Sequence, residues 1–149
     1  ELHDPPFCIF VLSKNPNFSF STTDRNLCVV GSRSATSDAI SMTKSLSAKA
    51  SNFGLTIISG LASGVDIAAH EGILGKGMNL DAIAVLANDV SLCFPASSSR
   101  VYQQILNTGG AIISEYPPGV MPMKHQFIAR NRIMAALSAC TVVIQAKEK

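Results

Sequence analysis

Leu55-Thr56-Ile57-Ile58-Ser59-Gly60-Leu61-Ala62-Ser63-Gly64-Val65-Asp66 passes from an unbroken apolar run, through a Gly/Ser turn, into a helical pattern. A strand that reads as a continuous Ile/Val/Leu run is buried on both faces, as in a parallel sheet covered by helices. The same unit recurs in both directions along the chain. Apolar runs at Leu27–Val30, Leu55–Ser59, Ala82–Leu86, Ala111–Ser114 and Thr141–Gln145 start 28, 27, 29 and 30 residues apart. Helical patterns separate them. Ile40, Thr43, Leu46, Ala50 and Phe53 mark one face of the first, which Gly54 closes. The others are expected over Val65–Leu74, stopping at Gly75, and roughly over Ser98–Asn107 and Ile128–Leu137. Strand–helix–strand at this spacing requires right-handed crossovers. The expected fold class is therefore α/β: an open, mostly parallel, Rossmann-like sheet with helices on both faces. Residues 1–25 read as an N-terminal extension with an extra strand over Phe7–Leu12, and residues 26–149 as the core.

At 149 residues, 47% of them apolar, the chain can bury one sizeable core. Its 12 basic and 10 acidic side chains leave a formal net charge of only +2, so a polyanion site must be a local cluster and not a general basic coat. Cys8, Cys28, Cys93 and Cys140 lack metal-ligand or disulfide-framework spacing and are expected to be reduced and buried. No apolar run approaches the ~18 residues of a spanning helix, and no basic region precedes Phe7–Leu12. The cytoplasm is the expected location, with no membrane partner. The chain begins at Glu1 rather than Met, which suggests an excised or processed piece.

In an open parallel sheet, ligands bind beyond the carboxyl ends of the strands, where helix N-termini converge. Four loops belong there. Gly31-Ser32-Arg33-Ser34-Ala35-Thr36-Ser37 offers a close backbone turn, hydroxyls and one cation. It is not G-x-G-x-x-G, and Ser59-Gly60 stand where a ribose-binding acid would be, which disfavours NAD. Ser59–Gly64 offers a nest for one phosphate, but without G-K-[ST] it is no ATP-hydrolysing loop, and no cofactor is expected. Asp66 and His70, four apart, offer an acid–base pair or a structural contact, the latter favoured. Asn88–Ser97 carries little identifiable chemistry.

The fourth loop is the most informative. From Tyr116 through Lys147 there is no acid, against Lys124, Arg130, Arg132 and Lys147. Arg130 and Arg132 diverge on a helix, so at most one faces a ligand, and Glu115 is a candidate partner for the other. Phe127 stands three residues after Lys124. It suits base stacking, or else a core or staple contact at a helix start.

Taken in order, these segments resemble the DNA-processing protein A (DprA/Smf) family. The residues concerned are Asp4-Pro5-Pro6, Val30-Gly31-Ser32-Arg33, Ser59–Asp66 with Ala69-His70, Ala84-Val85-Leu86, Ser114–Gly119, Phe127, Arg130-Asn131-Arg132-Ile133 and Ala136-Leu137-Ser138. The resemblance covers nearly the whole chain. It implies a non-enzymatic, Rossmann-like domain that binds and protects single-stranded DNA and helps load a RecA-type recombinase during transformation or recombinational repair. It also implies a DNA site at Gly31, Ser32, Arg33, Ser59, Gly60, Gly64, Lys124, Phe127 and Arg130, with no metal. After Val142–Gln145 the family continues with a Gly-Ser loop, a helix and more sheet, which this sequence lacks and which hold part of the expected homodimer and recombinase surfaces. The alternative is a nucleotide-cleaving enzyme of the lysine-decarboxylase-like (LOG) group, or a nucleotide sensor. The enzyme needs P-G-G-x-G-T-x-x-E, whereas Pro117-Pro118-Gly119 here leads into basic residues.

Overall fold

The computed structural model describes residues 3–20, 23–74 and 82–146. It contains β1 (Phe10–Ser13), β2 (Asn26–Gly31), α1 (Ser37–Asn52), β3 (Thr56–Ser59), α2 (Val65–Leu74), β4 (Ala82–Val85), α3 (Ser99–Asn107), β5 (Ala111–Ser114), α4 (Lys124–Ala136) and β6 (Cys140–Ile144). The strands form one six-stranded sheet in the order β1-β5-β4-β3-β2-β6. Every pairing is parallel except that of β1, which runs antiparallel along β5 with Phe10 opposite Ser114. The α/β expectation holds.

From β2 to β5 the chain steps one strand at a time in one direction, and then β6 returns to the far side of β2. Right-handed crossovers therefore put α1, α2 and α3 on one face and α4 on the other. The core divides accordingly. Val29, Ile57, Ala69, Ile73, Ile105 and Ile112 pack on the three-helix side. Cys28, Ile58, Ile83, Ile113, Ile133 and Met134 pack on the α4 side. Strands β3, β4 and β5 are buried at every position, as their continuous apolar runs require. The order reverses between β2 and β6, and that switch point is where a crevice opens.

Three details differ from the sequence expectation. Helix α4 begins at Lys124, a full turn before Ile128, because the Gln126 side chain accepts the Met123 N–H at the helix start. No Ser, Thr or Asp signals that cap. Strand β1 is displaced toward Ser13, leaving Phe7 outside the sheet and exposed. All four cysteines are free as expected, but only Cys28 is buried; Cys8 and Cys140 are exposed and Cys93 is half-buried. Cys140 lies on β6, at the sheet's edge, where burial is incomplete. The expected stop at Gly75 lies outside the described residues.

Candidate functional site

The first two loops are locked together. The Ser32 carbonyl accepts the Val65 N–H at 3.2 Å, at the first residue of α2. Gly64, at φ +81°, sits directly beneath it: a Cβ there would overlap the Ser32 carbonyl oxygen and lie 2.9 Å from the Arg33 carbonyl carbon. Only glycine serves both the left-handed backbone and the close approach. On the other side the Ser32 N–H donates to the Ile144 carbonyl at 3.2 Å, fixing the Gly31–Ser34 loop against β6. The loop is thus held at the switch point from both flanks.

Part of the Ser59–Gly64 turn, expected as a phosphate nest, faces the chain itself. Asp66 turns back into it, with backbone N–H groups of Ala62 and Gly60 reaching the carboxylate, while the Val65 N–H is taken by Ser32. Ser59 is fully buried and its hydroxyl donates to the Val29 carbonyl at 2.6 Å. Gly60 is buried against the Arg130 guanidinium. Gly60 and Ala62 thus turn toward the chain's own Asp66, while Ser63 stays exposed at the turn.

Arg130 also faces the chain itself. It is 3% exposed. Its Nη1 donates to the Gly60 carbonyl at 2.8 Å and to the Val85 carbonyl, and its Nη2 lies 3.9 Å from Asp66. Burial raises the Asp66 carboxyl and lowers the Arg130 guanidinium, each opposed by the charge of the other. Arg130 therefore forms the floor of the site rather than an open phosphate contact. Arg132 is also engaged: its Nη2 donates to Glu115, the expected partner, at 2.6 Å, and its Nε reaches Asp4 at 3.4 Å.

Asp66 and His70 form no acid–base couple; neither imidazole nitrogen hydrogen-bonds to the carboxylate. His70 is fully buried beside the Ser59 backbone, and burial pushes it down to about 4 from 6.5. The unfolded chain binds that proton between those two values and the native state does not. Stability is thus fully present above pH 6.5 and is lost as pH falls toward 4. Urea unfolding at pH 5 should show a loss of about 2 kcal/mol relative to pH 7.5, a loss that His70→Leu should remove. An unchanged pH slope in that variant would mean another group titrates.

What remains open is cationic and aromatic. Arg33 is exposed, and its guanidinium carbon lies 4.9 Å from the centroid of the Phe127 ring. Lys124 is exposed at the first turn of α4, three residues before Phe127, so both share one side of the helix. Among the described residues neither Arg33 nor Lys124 is ion-paired with a carboxylate. Phe127 is half-buried, in ring contact with Phe94, and is not a core residue. A cleft of about 170 Å³ is lined by Val30, Gly31, Arg33, Ala62, Asp66, Phe127, Ile128, Arg130 and Asn131. A second, of about 440 Å³, opens at the switch point between Gly31–Ser34 and Gln145–Ala146. Asn131 lines both.

Neither Asn131 nor Phe94 is among the expected site residues, although Asn131 is one of the residues that carry the family resemblance. A signal for each existed. Asn131 sits inside the Arg130–Arg132 run, and Phe94 is an aromatic in a loop that the parallel topology sends to the same edge as Phe127.

The fold and site define a Rossmann-like α/β domain with a cation-lined, aromatic cleft at the carboxyl edge of its sheet. The family described as DNA recombination-mediator protein A matches residues 1–149, and the chain belongs to that family. It is 34% identical to Protein Smf of Synechocystis sp., over all of this chain and 37% of that protein. It is 33% identical to DNA processing protein DprA of Streptococcus pneumoniae, over 99% of this chain and 49% of that one. Among solved structures, DNA processing protein A from Helicobacter pylori, described for its single-stranded DNA binding mode, superposes with a TM-score of 0.84 at 31% identity. That match covers 99% of this chain and 65% of that one. The X-ray structure of the pneumococcal protein gives 0.76 at 34% identity, over 85% and 43%. The chain thus spans between about a third and a half of the length of these curated relatives.

Proposed function

We propose that this chain binds single-stranded DNA in the cleft between the Gly31–Ser34 loop and the start of α4. Arg33, Lys124 and the backbone of Gly31 and Ser32 hold phosphates, and Phe127 takes a base. One observation carries the reading: an exposed arginine that, among the described residues, forms no ion pair with a carboxylate lies over an accessible aromatic ring at the carboxyl edge of a parallel sheet. Phosphate contacts from free cations supply affinity, and stacking on a ring supplies sequence-tolerant grip. Ser59, Gly60, Gly64 and Arg130 act beneath this surface by fixing its shape. Kinship with a protein described for single-strand binding supports the same reading.

Under this reading the whole protein is a cytoplasmic, non-enzymatic homodimer. It protects incoming or damaged strands and assists loading of a RecA-type recombinase in natural transformation. The Asp66–Arg130 pairing and the buried, neutral His70 argue against the nucleotide-cleaving alternative, since neither leaves an oriented base beside a substrate.

Fluorescence anisotropy with labelled single and double strands at two salt concentrations tests the proposal. Single strands should bind with a salt slope of roughly 0.7 per phosphate contact. Arg33→Ala and Lys124→Ala should each weaken binding and flatten that slope. Equal affinity for a mononucleotide and a long strand would favour the sensor. Release of base or phosphate from nucleotides, lost in His70→Ala, would favour the enzyme.

A further inference from the structure

Phe94 lies in the connection from β4 to α3, to which the sequence alone assigns no chemistry. The residue is 44% exposed. Its ring centroid lies 5.9 Å from that of Phe127, with the planes inclined at 45°. With Arg33 over Phe127, the three side chains make one continuous strip of cation, ring and ring.

The loop that carries Phe94 is held firmly. The buried Asn88 side chain donates to the Leu92 carbonyl at 2.7 Å and to the Asp89 carbonyl at 2.9 Å. The Asp89 carboxylate accepts the Ser91 N–H at 2.8 Å and the Ser91 hydroxyl at 2.9 Å. Its other oxygen accepts the Gly119 N–H at 2.8 Å, which ties this loop to the one leading into α4. The Tyr102 hydroxyl closes the set on the Val90 carbonyl at 2.7 Å. A large apolar ring left partly in water gains little from folding, but on a fixed shelf it loses little conformational freedom when a flat ligand covers it.

We infer that Phe94 is a second base-stacking platform. A strand held at Arg33 and Lys124, with one base on Phe127, lays a neighbouring base on Phe94. The site then spans all of the strip and grips successive bases of any sequence. This inference rests on the single-strand reading above.

The test compares oligothymidylate with a fully abasic strand of the same length, which keeps the phosphates and removes the rings. Phe94→Ala and Phe94→Leu should each bind oligothymidylate about 5- to 150-fold more weakly. The salt slope should be unchanged, because stacking releases no counterions. Phe94→Trp should bind as wild type. Against the abasic strand all four proteins should bind alike. Wild-type affinity in Phe94→Leu would overturn the inference, since an aliphatic filler would then suffice. So would a loss that persists on the abasic strand, which would mean that Phe94 only shapes the loop. Wild-type protein that holds the two strands equally well would also overturn stacking while leaving strand binding intact. Wild-type protein that binds neither strand better than a mononucleotide would overturn the single-strand reading and this inference with it.

Discussion

Arg130→Ala should lower the unfolding free energy by about 3–5 kcal/mol, the range for breaking a buried ion pair from one side. The arginine is almost fully enclosed, and its fork serves the Gly60 and Val85 carbonyls as well as Asp66. Alanine would remove that donor from both carbonyls and leave a buried carboxylate without its counter-charge. It would also open a void where Gly60 now packs against the guanidinium. Arg130→Lys should recover little, because a single ammonium does not reproduce a planar fork that serves two carbonyls from Nη1 and faces Asp66 with Nη2. Arg132→Ala is the control. It lies two residues away, but its side chain is 25% exposed, and of its partners Asp4 is 78% exposed and Glu115 14%, against 7% for Asp66. It should lose about 1 kcal/mol or less. Urea denaturation of the three variants decides the matter. In Arg130→Ala, loss of DNA binding should track loss of folded protein. A folded Arg130→Ala protein of wild-type stability that fails to bind would move Arg130 from the floor of the site to its surface.

Phe127→Ala should weaken single-strand binding about 5- to 150-fold while leaving the salt slope close to that of wild type. The ring touches Arg33 and Phe94 rather than the core, so its removal costs contacts made mostly at the surface. Phe127→Tyr or Trp should largely keep affinity. Phe127→Leu should not, because it retains apolar volume but offers no π face. Melting temperatures measured beside the titrations should fall only modestly. A core phenylalanine would instead cost roughly 3–5 kcal/mol on truncation to alanine. A large fall in melting temperature, with binding restored by leucine, would reject the stacking role.

The two variants divide the fourth loop's cluster into a buried half and an exposed half, a division that composition does not announce. Lys124, Phe127, Arg130 and Arg132 all occur within nine residues of basic, acid-free sequence. In the folded chain Arg130 points under the Gly60 turn, Arg132 goes to Glu115 and Asp4, and Lys124 and Phe127 stay at the surface.

The parallel α/β class follows from the order of residues alone. Strands buried on both faces must be continuously apolar, and Leu27–Val30, Ile57–Ile58 and Ile112–Ile113 satisfy that at a spacing that admits one helix between each pair. The order of residues also directs the search for a site to the loops at the carboxyl edge, where open parallel sheets bind their ligands. The sequence did not decide which donors are free. Whether Gly60, Ala62 and Val65 face a ligand depends on Asp66 and Ser32 folding back onto their N–H groups. Whether an arginine is a site or a strut depends on carbonyls 45 and 70 residues away in the chain. The start of α4 was hidden because its cap comes from Gln126 rather than from a hydroxyl or carboxylate before the helix. Phe94 was hidden because its meaning lies in Phe127, 5.9 Å away on the first turn of α4, and only folding brings that loop and that helix together.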